Sequence, residues 1–497
     1  MNQSYWVASG IEEQPTYPKL EKDIESEVCI IGGGLTGLTC AYYLTKKGFK
    51  VSVIEKNKIG NHTSGNSTAK ITSQHDLFYD YLIQSVGKEQ ARQYLYANEQ
   101  AIQNIEDIIK NENIDCAFKR QDAYVFTQEE KEVEKIKKEV KAVNSLGFHS
   151  EFVKEIALPI EIQGAIRFPN QAQFNPYLYM LGLANKIVEN GGSIYEDTKV
   201  IDVKKQEEDY DILTEKAKIN SHYVIIASHY PFLTVPGFYF MKMYQETSYI
   251  ITIEDKNAVA FDGMYINVEK PTLSVRKTEN GLILIGGSDH KTGEKINLKD
   301  AYQNLENRAK NIFPGATVKY KWNTEDCISL DKIPYIGDFS KMMPNVYVAT
   351  GYKKWGMTTS NVAANIIVDK ITEKENAYEE VFKSTRLKPI KNYQELTNMT
   401  KEVTQSFLIE KLKKPEAYVK NMHKEEGKII EIDGQKVGAY CDQEGKFHFV
   451  KPVCTHLGCE LTWNNLDKTW DCPCHGSRFD YDGKSIYDPS IKDLEKL

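Results

Sequence analysis

At 497 residues the chain exceeds one ordinary hydrophobic core, and at ~150 residues per domain it divides into about three units. With 41% hydrophobic and 27% charged residues and a net charge of −7 it reads as a soluble globular protein, and no Lys/Arg-rich block threaded with aromatics offers a footprint for nucleic acid. The opening "MNQSYWVASGIEEQPTYPKLEKD" has no basic stretch followed by an apolar one, and no run approaches the ~18 apolar residues of a membrane span, so neither a secretory signal nor an integral membrane segment is expected and the expected location is cytoplasmic.

The first clear element is "ESEVCIIGGGLTGLTCAYYLTKKGFKVSVIEKNKIG", residues 25–60. Val28–Ile31 form an apolar strand, Leu35–Thr45 carry helical spacing ended by Gly48, and Val51, Val53 and Ile54 make a second strand that stops at Glu55, which is a βαβ unit. From 76 to about 148 the chain is mostly charged amphipathic helix, interrupted by the strand-like "DAYVFT"; that charge run is a solvated face. Strand patterns return at 194–204, 210–228, 248–254 and 272–286, mixed with a helix at 176–190, and residues 346–371 read as strand, glycine-containing loop and helix. A polar stretch without a sustained apolar stripe follows, and then a short-stranded segment that turns at DG and EG as an antiparallel sheet does. The expected organisation is an α/β Rossmann-type nucleotide domain interleaved with an α+β substrate domain over 1–371, a linker over 372–406, and an all-β domain over 407–497.

Gly32-x-Gly34-x-x-Gly37 lies between the first strand and helix, with Glu55 18 residues past the last glycine. In this context Gly32 permits the tight turn, Gly34 lets backbone approach a pyrophosphate, Gly37 allows close helix packing, and Glu55 accepts from a ribose hydroxyl. The motif alone does not separate FAD from NAD. Together with "GNHTSGNSTAKITSQH", "VIIASHYPF", "SLDKIPYIGDF" and "VATGYKKWGMTTS", however, it resembles the D-amino-acid oxidase and glycine/sarcosine oxidase family of FAD oxidoreductases over residues 25–371. The resemblance implies FAD, with Ser64, Thr68, Gly351, Gly356, Met357 and Thr358 near it, and implies that Arg276 anchors a substrate carboxylate, a task that suits a planar guanidinium. Thr324 stands where the sarcosine oxidases link flavin through cysteine, Cys327 is out of register and His62 aligns ambiguously, so noncovalent FAD is expected. A second GxGxxG for a nicotinamide is absent.

Four of the nine cysteines fall close to two of the ten histidines in "CTHLGCELTWNNLDKTWDCPCHGSRF". Cys454-x-His456, fifteen residues, then Cys472-x-x-His475 is the spacing of a Rieske [2Fe-2S] centre, in which two thiolates hold one iron and two imidazoles the other. A Cys₂His₂ zinc site is the structural alternative, but it rarely uses C-x-H. Cys459 and Cys474 match, by resemblance to cytochrome-bc-type Rieske proteins, the disulfide tying the two cluster loops; Ser477 keeps one sulfur hydrogen-bond donor of that pattern, while Phe479 replaces its tyrosine. The other cysteines, Cys29, Cys40, Cys116, Cys327 and Cys441, are scattered as reduced thiols are.

The whole chain resembles a bacterial family of FAD-dependent oxidoreductases carrying a C-terminal Rieske domain. That implies an enzyme oxidising an amine or amino acid at its C–N bond and passing electrons through the cluster to an acceptor protein or carrier. The alternative is a relay between protein partners without a small-molecule substrate. A Rieske oxygenase would need a further mononuclear iron site, and the remaining histidines are not paired for one.

Overall fold

Strand Ile24–Ile31 ends in four buried residues, as a strand covered on both faces does. It pairs in parallel with Val51–Ile54 on one side and Lys218–Ile226 on the other. Ser193–Tyr195 and Met343–Thr350 extend the parallel run, and Tyr335–Ser340 closes one edge antiparallel. Helices Leu35–Lys46 and Gly356–Ile371 share one apolar core under this sheet. The computed structural model on which this description rests covers residues 3–10, 12, 14–258, 260–294, 300–386, 422–432 and 434–497.

The chain leaves this sheet twice to build a second one of nine strands, whose main path begins at Thr317–Ser329 and Met243–Glu254 and ends at Lys70–Ile71. Because consecutive segments alternate between the sheets, the nucleotide and substrate parts are interleaved, as expected. A wide cavity opens between them.

Beyond residue 422 the fold is all β: a three-stranded sheet (Gly427–Ile432, Gln435–Cys441, Phe447–Val450) and a four-stranded one (Thr462–Asn464, Thr469–Asp471, Arg478–Asp480, Ser485–Tyr487). Trp470 and Phe479 fill the core beside the cysteines.

The expected linker needs a correction at its start. Up to residue 386 the chain stays on the first domain: Phe382 is buried and stacks on Tyr94, and Arg386 forks onto Asp331 at 2.6 and 2.8 Å. The rest of the expected linker, from 387, and the expected start of the last domain at 407 lie outside the described residues.

Candidate functional site

The nucleotide end grows directly from the βαβ unit. Gly32 has φ 114°, and a Cβ there would lie 2.5 Å from the Ala227 carbonyl oxygen; at Gly37 it would lie 2.0 Å from that of Gly32. Only glycine lets the turn and the helix close so tightly. The N-cap position, Gly34, has no side chain to cap the helix that begins at Leu35; Ser64 takes the Leu35 N–H, and the next N–H groups of the first turn are left for phosphate oxygens. Glu55 accepts from Gly33 N–H at 2.8 Å and from Asn57 N–H at 2.9 Å; burial raises its pKa while those two donors hold it down. One lone pair on each oxygen remains for a ribose hydroxyl. Ser64 Oγ accepts from Leu35 N–H at 3.1 Å.

From this end a cavity of about 660 Å³ runs between the two sheets, within the range of cofactor sites. Gly32, Gly34, Glu55, Ser64, Thr68, Gly351, Gly356 and Met357 all line it. Gly37 does not; it sits behind as the packing glycine. Thr358 also turns away, its hydroxyl donating to Asn98 Oδ1 at 2.8 Å in the buried interior. The lining glycines and free helix start fit the phosphates and ring of FAD. His62 and Cys327 reach the cavity wall too: burial drives the His62 pKa down to about 3 and the Cys327 thiol well up.

Arg276 is placed differently from the expectation. Its guanidinium is buried, donating to the carbonyls of Thr68 (2.6 Å), Phe174 (3.1 Å) and Lys277 (3.3 Å), and it lies 4.8 Å from the centre of the Trp6 ring. Three carbonyls and an indole hold it within the first domain, each of its nitrogens donating to backbone, and it is not part of the cavity wall. Several lysines line the wall instead, and among them Lys70, which sequence reasoning passed over although it stood inside a quoted motif, is buried without an ion-pair partner among the described residues. Its Nζ donates to Ser274 Oγ and, at 3.3 Å, to Thr68 Oγ1. Burial, with the Arg276 charge nearby, lowers its pKa to about 7. Further along the wall Lys354 pairs with Glu246 at 2.9 Å and Asp289 at 3.3 Å, and burial raises the neighbouring Asp326 to about 7 despite Lys354.

The cluster loops repeat one construction. Cys454 N–H donates to the Cys459 carbonyl and Cys472 N–H to that of Ser477, both at 2.8 Å, and each loop turns on a left-handed glycine, Gly458 (φ 80°) or Gly476 (φ 81°). Cys454 and Cys472 are buried side by side; the His456 and His475 rings stand 5.1 Å apart at 87°. Both Nδ1 atoms are buried without a hydrogen-bond partner. Two adjacent sulfurs and two orphaned ring nitrogens are the donor set of a [2Fe-2S] cluster, so the residues fit it. Cys459 and Cys474 are disulfide-bonded with Cα atoms 6.6 Å apart, and the Ser477 hydroxyl lies against Cys454.

The first domain covers most of the histidine side of these loops, through residues that gave no signal in the sequence. Phe240 meets both imidazoles edge-on, at 6.1 Å from His456 and 5.6 Å from His475. Gln245 Nε2 donates to the carbonyls of His475 (2.9 Å) and Asp488 (2.8 Å), and Gly476 is close enough that a Cβ would strike Gln245. Arg478 of the cluster domain pairs with Glu325 of the first, both fully buried. Tyr487, Asp488 and Ile491 contribute to the FAD cavity itself. Between cavity and cluster lies the segment after strand Lys218–Ile226: His229 lines the cavity, its carbonyl accepts from Cys327 Sγ at 3.6 Å, and Tyr230 is buried within electrostatic reach of both Cys327 and Cys472.

Comparison with known proteins bears on both halves. Residues 27–370 match the model of the FAD dependent oxidoreductase family, and 413–497 match the Rieske [2Fe-2S] domain. A putative Rieske 2Fe-2S iron-sulfur protein, YhfW of Bacillus subtilis, is 40% identical over 100% of this chain and 97% of its own length. The gamma-glutamylputrescine oxidoreductase of Escherichia coli is 24% identical over 74% of this chain and 88% of its own. Among solved structures, glycine oxidase from Geobacillus kaustophilus superposes with a TM-score of 0.64 at 18% identity, covering 73% of this chain and all of that one.

Proposed function

The chain belongs to the FAD-dependent oxidoreductase family and carries a C-terminal Rieske domain, and we propose that it oxidises an amine or amino acid at the C–N bond and delivers the electrons, through its cluster, to an external carrier. FAD and a [2Fe-2S] cluster are its cofactors; FAD supplies a two-electron acceptor and the cluster a one-electron carrier. The observation that carries the reading is that one wall is shared: Tyr487, Asp488 and Ile491 of the cluster domain line the FAD cavity together with Cys327 and His229, and Gln245 of the first domain donates to the carbonyl of the cluster ligand His475 at 2.9 Å.

The work of the protein's own residues follows from their placement. Glu55 and the capless helix hold the nucleotide, with noncovalent attachment. Lys70, aided by Ser274 and Thr68, pairs with a substrate carboxylate, the role expected of Arg276; a buried unpaired ammonium gains most from such a partner. Asp326, poised near neutrality, accepts a proton from a substrate ammonium so that the amine is presented neutral. The docked cluster domain closes one side of the cavity to water through Tyr487 and Ile491. A charged, two-ended cavity supports substrate oxidation over a relay without a small-molecule substrate. The related gamma-glutamylputrescine oxidoreductase and the glycine oxidase fold support the amine or amino acid class. The scattered free cysteines support a cytoplasmic place for it.

The test is anaerobic screening of amines and amino acids for bleaching of flavin absorbance, followed by Cys472→Ser in a single turnover. The variant is expected to bleach with substrate at an unchanged rate and to lose reduction of a one-electron acceptor protein. Loss of bleaching in a folded, FAD-loaded variant, or full acceptor reduction by it, would refute the order of carriers.

A further inference from the structure

The histidine side of the cluster is covered by the first domain except along one edge. Cys454, Cys472 and His475 are buried, whereas the His456 ring stays half-buried, its Nε2 3.4 Å from Thr234 Oγ1. Thr234 opens a loop that comes back to the cluster at Phe240. Between and beside these two anchors large apolar side chains point outward: Val235 is 62% exposed, Phe238 43% and Met241 59%, and Leu457, next to His456, is 36% exposed. Among the described residues ten large apolar side chains are exposed, and these four of them gather around one cluster ligand. Scattered exposed apolar residues need no explanation, but a contiguous group at a redox centre does.

Phe238 supplies an independent reason. Its φ of 51° is left-handed, a conformation that strains an aromatic residue and that Asn or Gly adopts at little cost. The ring touches Phe240 (centroids 6.2 Å) on one side and leaves 43% of the residue exposed on the other, so an aromatic surface continuous with the cover of the cluster histidines faces outward at a backbone position that does not favour it.

We propose that loop 234–241 and Leu457 form a composite docking collar through which a small one-electron carrier protein reaches the cluster at His456. The proposal rests on the electron order given above. The collar continues the interface between the two domains outward through Thr234 and Phe240, so a partner seated on it touches both domains and lies against the one ligand ring with an open edge. The stretches 234–241 (TVPGFYFM) and 455–458 (THLG) contain no Asp, Glu, Lys or Arg. Apolar stretches of this kind, with Lys242 at their margin, suit a transient contact in which a few aromatic and methionine side chains supply the affinity. Oxidation of one C–N bond releases two electrons, and each encounter moves one electron from the cluster to one carrier. Two carriers therefore leave reduced for each substrate oxidised.

The experiment uses full-length holoprotein with its cluster reduced anaerobically and excess reductant removed, mixed in a stopped-flow instrument with a soluble c-type cytochrome, with a blue-copper protein, and with ferricyanide as a small control. Phe238→Asn, which suits the left-handed backbone, and Met241→Lys are compared with the wild type. The expected result is transfer to at least one protein carrier that saturates with concentration and depends little on salt, slowed by about tenfold in each variant, while the ferricyanide rate and the paramagnetic resonance spectrum of the cluster stay unchanged. Equal protein-carrier rates in wild type and variants, no saturable transfer to either carrier, or equal slowing with ferricyanide would overturn it. So would a loss of self-association in the variants with transfer unaltered, which gives the patch to a second copy of the chain. Failure of the underlying electron order has a separate signature: Cys472→Ser would then pass substrate electrons to these carriers as fast as the wild type.

Discussion

Burying an ammonium away from every carboxylate is expensive, and the Lys70 side chain is held that way by two hydroxyls and the wall of the cavity. Arg276 looked the better anchor in the sequence because a guanidinium suits a carboxylate and because relatives place an arginine at that point. Whether an arginine spends its donors on substrate or on its own backbone depends on carbonyls up to 208 residues away, which a linear pattern does not register. Lys70 was legible only as one letter of a motif. Its titration gives a prediction with a definite sign. The folded-state pKa, about 7, lies below the ordinary 10.5, so the free protein loses the proton as pH rises through 7. A carboxylate ligand meets a cation below that point and a neutral amine above it. Affinity for benzoate, followed by perturbation of the flavin spectrum, should be level below pH 7 and fall about tenfold per unit above it. In Lys70→Met it should be weaker by roughly ten- to a hundredfold, the worth of a charged hydrogen bond, with only the shallower fall above pH 7 that ionisation of Asp326 in the same cavity leaves. A wild-type affinity that rises with pH would exclude Lys70 as the anchor.

The elements that bind the cofactors were the most legible, because both are local devices. The βαβ unit shows itself by a change of hydrophobic period with glycines at the junction, and the cluster loops by ligands that all fall within 22 residues. What escaped was of another kind: the four-residue helix Glu379–Phe382 is too short to set up a period, so the polar stretch around it read as linker although Phe382 is buried. The glycine junction carries the prediction at this scale. A Cβ at position 37 would collide with the Gly32 carbonyl oxygen at 2.0 Å, backbone against backbone, and only a shift of helix Leu35–Lys46 away from the turn relieves it. Gly37→Ala should therefore fold but purify with well under half of its FAD, while the Rieske absorbance per polypeptide stays near the wild-type level. Stoichiometric flavin in this variant would show that the helix need not sit so close.

At the scale of the whole molecule the two cofactor-bearing parts are joined by pairings that sequence distance conceals: Thr234 with His456 across 222 residues, and Glu325 with Arg478 across 153. Glu325 belongs to no motif and Arg478 stands in the cluster stretch without a ligand role, and only the folded chain shows that one guanidinium ties Glu325 of the first domain to Asp471 at 3.0 Å and Asp467 at 2.6 Å in the second. Removing it leaves three buried carboxylates without their cation. Removing Glu325 alone leaves the arginine two partners. Arg478→Met should accordingly cost about 3–5 kcal/mol, read as a large drop in the thermal midpoint of the holoprotein, and Glu325→Gln clearly less. The milder variant then reports on docking: Glu325→Gln should retain both cofactors and bleach normally with substrate, yet reduce its cluster more slowly, since a buried ion pair that holds the cluster domain on the first domain is loosened. Cluster reduction at the wild-type rate in a variant with a measurably lower midpoint would mean that Gln245, Thr462 and the Phe240 contacts hold the domains in register without this ion pair.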